Sequence, residues 1–120
     1  MNCRAGVARP VAGGRPAAVV FLMIAWVAGC GGPRGITVVE GTYGGNCGVK
    51  AGNATTDLAK KCDTTQQCDY KVDVNTLGDP SVGCAKDFLA VYRCGDERNL
   101  RRATASPEAG MGSTVKLTCS

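Results

Sequence analysis

Asp79, Gly83 and Lys86 place a carboxylate, a conformationally free glycine and an ammonium within eight residues of one another. They sit in the stretch Leu77 to Cys94, which opens with the turn signal Gly78-Asp79-Pro80 and runs into the alternating segment Phe88 to Cys94. A fixed carboxylate only accepts hydrogen bonds and an ammonium only donates them, so a turn holding both suits a small ligand whose hydroxyls do both. Taken singly these residues are bland: Asp79-Pro80 starts many turns, Gly83 fills many, and Lys86 beside Asp87 is an ordinary surface pair. Their combination carries the signal. Catalysis has no comparable footing, because the chain has no histidine, no nucleophile motif and no carboxylate pair spaced for acid–base work. The chain therefore reads as a binding protein and not as an enzyme.

The N-terminus reads as an export signal. Arg4, Arg9 and Arg15 form a basic leader, and Ala17 to Gly29 is an apolar run of thirteen residues. Such a run is too short to cross a bilayer comfortably, and the basic-then-apolar order is that of a secretory signal. Val27-Ala28-Gly29-Cys30 resembles a bacterial lipobox. That resemblance implies cleavage after residue 29, acylation of Cys30, a short tether over residues 30–35 and a domain over 36–120. The product would be held in the bacterial envelope by its lipid, and the absence of aspartate after Cys30 points to the outer membrane or cell surface. A simply secreted product is the alternative. Without the leader the chain keeps eleven of its fourteen Lys and Arg and all ten Asp and Glu, a net charge of +1. A nucleic-acid partner is not expected from so even a balance. Arg98, Arg101 and Arg102 read as a solvated loop beside Asp96 and Glu97.

Six cysteines remain for the domain: Cys47, Cys62, Cys68, Cys84, Cys94 and Cys119. With only Tyr43, Tyr70, Phe88 and Tyr92 as aromatics, burial alone stabilises such a chain weakly. Three disulfides at about 2 to 4 kcal/mol each would supply much of the rest. A zinc site is disfavoured by the lack of histidine and of any Cys-x-x-Cys pair, and no cofactor or metal is expected. Cys62 and Cys68, five residues between them, form a natural local pair; six cysteines allow fifteen pairings, so spacing alone does not choose the full set.

The elements that must carry these residues follow from period and punctuation. Ile36 to Tyr43 is rich in β-branched residues and reads as a strand ended by Gly44-Gly45-Asn46. Thr55 to Cys62 reads as a short helix with a threonine cap, Asp57 in its first turn and Lys60 and Lys61 in its last. From Cys68, Tyr70, Val72 and Val74 alternate with polar residues, predicting a half-buried strand. Phe88 to Cys94 is expected as a central strand, Gly95 to Ser113 as a long loop, and Thr114 to Cys119 as a last strand. The fold class is α+β: a small disulfide-rich antiparallel β domain with one short helix.

The order of these features resembles the SUEL-type lectin domain of sea-urchin egg lectin, fish-egg rhamnose-binding lectins and latrophilins. The matching residues are Tyr43-Gly44, Cys47, the short helix, Cys62 and Cys68, Gly78-Asp79-Pro80, Gly83, Lys86 and Tyr92-Arg93-Cys94. Gly45 stands where the family carries arginine, Ser81 where it carries the cysteine of its Asp-Pro-Cys motif, and Cys84 where it carries threonine. The family's N-terminal strand is absent before Ile36. The C-terminal run from Glu108 to Cys119 resembles that strand, which implies a circularly permuted domain.

The resemblance implies binding of rhamnose- or galactose-type sugars without metal. Asp79 would accept from two hydroxyls, Lys86 would donate to another, and Gly83 would let the backbone approach the ring. Tyr43 would form a wall, and Glu108 would be a second acceptor. The implied disulfides are Cys62–Cys68, Cys47–Cys84 and Cys94–Cys119. The competing reading is a disulfide-stabilised protein-interaction module that kept the frame and lost the sugar. Gly45, and Ala85 and Asp87 in place of aromatics around the lysine, favour that alternative.

Overall fold

The computed structural model describes residues 34–119. The leader, Cys30 and the first part of the tether lie outside the described residues, as does Ser120.

Five strands and two short helices build the domain. Strand β1 (Ile36–Tyr43) pairs antiparallel with β3 (Phe88–Cys94), which pairs antiparallel with β4 (Arg101–Ala105). A second sheet pairs β2 (Gln67–Asp73) with β5 (Met111–Thr118), again antiparallel. The helices are α1 (Thr55–Cys62) and the single turn α2 (Val74–Leu77). The domain is thus a small mixed α+β structure of antiparallel sheets.

Alternation places Ile36, Tyr43, Phe88, Ala90, Tyr92 and Cys94 from the first sheet against Tyr70, Val72, Val115 and Leu117 from the second. The rings of Tyr70 and Phe88 meet at 5.2 Å between centroids, and Leu58 and Cys62 of α1 close the cluster. Each fully buried large side chain contributes about 1.5 to 3 kcal/mol. Three disulfides add to this: Cys47–Cys84, Cys62–Cys68 and Cys94–Cys119. These are the pairs the family resemblance implies, and all lie within the described residues.

The outer edge of β1 is not left open. Val38 N–H donates to Asp63 Oδ1 (2.8 Å), Gly41 N–H to Thr55 Oγ1 (3.0 Å) and Tyr43 N–H to Asn53 Oδ1 (2.8 Å). Side chains here do the work of a further strand and blunt the edge against other chains. Thr55 consequently does not cap α1 as expected. The N-cap is Ala54, with no side-chain cap bond, because the threonine hydroxyl already serves β1.

Two other expectations are corrected. Gly95 to Ser113 is not one long loop, since Arg101–Ala105 forms β4 and β5 starts at Met111. Ala103 and Ala105 face the core while Arg102 and Thr104 are exposed, an alternation too weakly apolar to show in sequence. Val74 leaves the strand for α2, because Asp73 Oδ1 captures the N–H of Asn75 (2.8 Å) and starts a turn.

Candidate functional site

The loop between α2 and β3 enters the core sheet at Phe88, the residue paired with Tyr43 at the end of β1. Two ties hold it down. One is the Cys47–Cys84 disulfide, with Cα atoms 6.1 Å apart. The other is a reciprocal clasp: Asp87 N–H donates to Asn46 Oδ1 (3.0 Å), Asn46 N–H to Asp87 Oδ1 (3.3 Å), and Asn46 Nδ2 to the Ala85 carbonyl (2.8 Å). Asp87 therefore serves the Gly45–Cys47 turn and is not the surface partner of Lys86. Neither Asn46 nor this use of Asp87 was anticipated from sequence; the signal would have been Asn46 next to Cys47, given that Cys47 bonds Cys84.

Lys86 points inward and is 4% exposed. Its ammonium donates to the Ser81 carbonyl (2.8 Å), the Cys84 carbonyl (2.7 Å) and Asp79 Oδ1 (2.8 Å). Three hydrogens meet three acceptors, so the lysine cross-links its own loop. Its stem passes beside Gly44, where a Cβ would lie 3.1 Å from both Cγ and Cδ of Lys86. Gly44 also sits at φ 90°, a region that favours glycine. The pair Tyr43-Gly44 thus has a physical reason: the ring lies under the ammonium, 5.8 Å from centroid to Nζ, and the glycine leaves room for the stem.

Asp79 is the accessible half of the ion pair, its side chain 39% exposed. Oδ1 also accepts from Ser81 N–H (3.2 Å), while Oδ2 takes no donor from the described residues. The hydrogen bond from Lys86, reinforced by that of Ser81, holds the carboxyl below its ordinary pKa despite some desolvation. The same contact with Asp79 raises Lys86.

The other expected site residues take different positions. Tyr43 is 1% exposed, so its ring forms the floor beneath Lys86 and presents no open wall. Burial raises its phenol pKa, with Lys86 lowering it and Asp79 and Glu108 adding to the rise. Glu108 is exposed and lies within electrostatic reach of both Tyr43 and Lys86. The bond from Ala109 N–H to the Lys86 carbonyl (2.9 Å) brings its segment alongside the loop. Gly83 has φ 79° with open space around its missing Cβ, so the turn, and not crowding, calls for glycine there. Asp79, Lys86, Tyr43 and Glu108 are therefore gathered from three separate parts of the chain.

No known protein family, curated protein or solved structure matches this chain. Chemistry alone characterises the loop: two exposed carboxylates flanking a saturated, buried ammonium. Such a surface accepts hydrogen bonds from hydroxyls. Among the described residues, no group of three or more His, Cys, Asp or Glu could hold a metal ion. A cleft of about 440 Å³ is lined by Lys71, Asp73, Asn75, Gly110 and Met111 among others. Gly110 joins the two surfaces, since it lines the cleft and also covers the Tyr43 hydroxyl so closely that a Cβ there would collide with it.

Proposed function

We propose that the domain binds carbohydrate without metal, taking rhamnose- or galactose-type sugars on a circularly permuted SUEL-type lectin frame, and that it is exported and lipid-anchored through Cys30. The observation that carries the reading is the free Oδ2 of Asp79, held at the surface by a buried lysine that orients the opposite oxygen. A preorganised carboxylate costs little to order when a pair of sugar hydroxyls docks on it. Glu108 adds a second acceptor, and Gly83 leaves the turn bare of side chain. Lys86 acts here by positioning Asp79; a sugar hydroxyl would reach its ammonium only by displacing a carbonyl. The permuted frame is supported by the antiparallel pairing of β5 with β2 and by the bond from Cys94 to Cys119.

Titration of the Pro33–Ser120 unit with rhamnose, galactose and lipopolysaccharide sugars tests this. Saturable binding that Asp79→Ala reduces at least tenfold is the expected result. Failure of every sugar, or full binding by Asp79→Ala, rejects the assignment.

A second reading is favoured by one observation. Val82, at the tip of the same loop, is 87% exposed, and a rigid loop with an apolar tip suits docking on a protein. In that case Val82→Asp abolishes capture of an envelope partner and no sugar binds.

A further inference from the structure

The five arginines of the described residues gather at one end of the first sheet. Ile36 pairs with Cys94 and Tyr92 with Arg101, so the start of β1, the end of β3 and the start of β4 lie together. Arg34, Arg93, Arg98, Arg101 and Arg102 belong to these segments. The lysines are placed elsewhere in the chain, at positions 50, 60, 61, 71, 86 and 116. Glu97 is shared by Arg34 (3.2 Å) and Arg101 (3.1 Å), and Asp63 accepts from the Val38 backbone. Arg93, Arg98 and Arg102 are exposed and make no ion pair among the described residues, the nearby acids being Asp96 in the same turn and Glu40, which shares a cross-strand row with Arg102 through Val91. Leu100, 54% exposed, stands in their midst. The loop carrying Asp79 and Lys86 enters at the opposite end, where Tyr43, Phe88 and Ala105 align, about 20 Å of strand away.

We propose that this arginine pole rests on the surface of an anionic phospholipid bilayer, with Leu100 at the headgroup level and the Asp79 loop facing outward. Planar guanidiniums match phosphate oxygens in pairs, and an apolar side chain among them adds interfacial contact. The chain itself supplies the geometric argument: Arg34 is four residues beyond Cys30, so an acyl chain on that cysteine holds this end, and no other, within a tether's length of the lipid. The lipid supplies the attachment, and the basic patch adds an electrostatic contact with anionic headgroups that orients the domain. The direction the pole faces rests on the lipid-anchor reading of Cys30; its attraction to anionic lipid does not.

The test uses the unanchored Pro33–Ser120 unit, which contains the core and the three disulfides, and measures co-sedimentation with phosphatidylglycerol–phosphatidylcholine vesicles. Binding to these vesicles, none to phosphatidylcholine alone, and weakening with added salt are expected. Replacing Arg98 and Arg102 by alanine should lower the partition coefficient about thirtyfold, at roughly fivefold per arginine. The control Lys50→Ala/Lys71→Ala removes equal charge away from the pole and should change it less than threefold. Equal loss in both variants, no vesicle binding, or binding of duplex DNA in place of vesicles would overturn the proposal. Lipidation is read separately, from the mass of the Cys30 peptide, so its failure leaves the vesicle result interpretable.

Discussion

Lys86 Nζ and Asp79 Oδ1 lie 2.8 Å apart, the lysine buried and the aspartate reaching solvent. The pair turns a loop without regular structure into a rigid platform, since the same ammonium holds the Ser81 and Cys84 carbonyls. Its pH dependence has two limbs. Asp79 is depressed in the fold, so its contribution is present above the unfolded carboxylate pKa and lost as pH falls through the folded value. Lys86 is raised, so its contribution is complete below the unfolded lysine pKa and lost as pH rises through the folded value. Thermal midpoints measured across pH should fall at the acid limb, and Asp79→Asn should flatten that limb. Lys86→Met should lower the midpoint at neutral pH and return the Asp79 carboxyl toward its ordinary pKa in an NMR titration.

The disulfides should differ in worth and in ease of reduction. They close 37, 25 and 6 residues of sequence separation for Cys47–Cys84, Cys94–Cys119 and Cys62–Cys68. On loop entropy, paired alanine replacements should cost about 4, about 3.5 and about 2 kcal/mol in that order. Cys94 and Cys119 are buried whereas Cys47 and Cys84 are half-exposed. Limited reduction followed by alkylation and peptide mapping should label Cys47 and Cys84 before Cys94 and Cys119.

Tyr70 donates a 2.6 Å hydrogen bond to Asp57 Oδ2, which Lys61 also reaches at 3.0 Å. Burial, then the bond to Asp57, pushes the Tyr70 phenol above its ordinary range. Burial pushes Asp57 up, but the hydrogen bonds from Tyr70 and Lys61 outweigh it and its pKa falls. Ultraviolet titration should show Tyr43 and Tyr70 ionising above the ordinary tyrosine value. Phenylalanine at position 70 should remove one of these two transitions and cost about 1 to 2 kcal/mol in denaturant unfolding.

Glycines with similar backbone angles should respond differently to alanine. Gly44 and Gly83 have φ 90° and 79°, but a Cβ at Gly44 meets Val49 and Lys86 while one at Gly83 meets nothing. Gly83→Ala should cost about 1 kcal/mol from the left-handed conformation alone. At Gly44 the same change should cost about 2 to 4 kcal/mol and loosen the Lys86 loop. Equal costs measured by chemical denaturation would contradict the packing of the lysine stem.

Much of the fold was legible because its signals are local. The spans of β1, α1 and β3 follow from period and punctuation between Ile36 and Tyr43, Thr55 and Cys62, and Phe88 and Cys94. β4 was not legible, because Arg101–Ala105 has no apolar period of its own and becomes a strand by pairing with β3. The four-residue α2 was hidden by Val74, which continues the alternation of β2 until the Asp73 side chain turns the backbone.

The candidate site divides the same way. Residue types and turn geometry near Asp79, Gly83 and Lys86 are properties of the sequence, because a carboxylate, a left-handed glycine and an ammonium need no partner to have their chemistry. Which way each points was decided by the tertiary structure. Closing Cys47 onto Cys84 turns Lys86 over Tyr43 and against three loop acceptors, and the return of residues 108–110 brings Glu108 alongside. Likewise Arg34, Arg93 and Arg102 are scattered in sequence and meet only because β1, β3 and β4 share one end. Side-chain chemistry is written residue by residue, whereas orientation depends on contacts between segments far apart in the chain, which no local pattern contains.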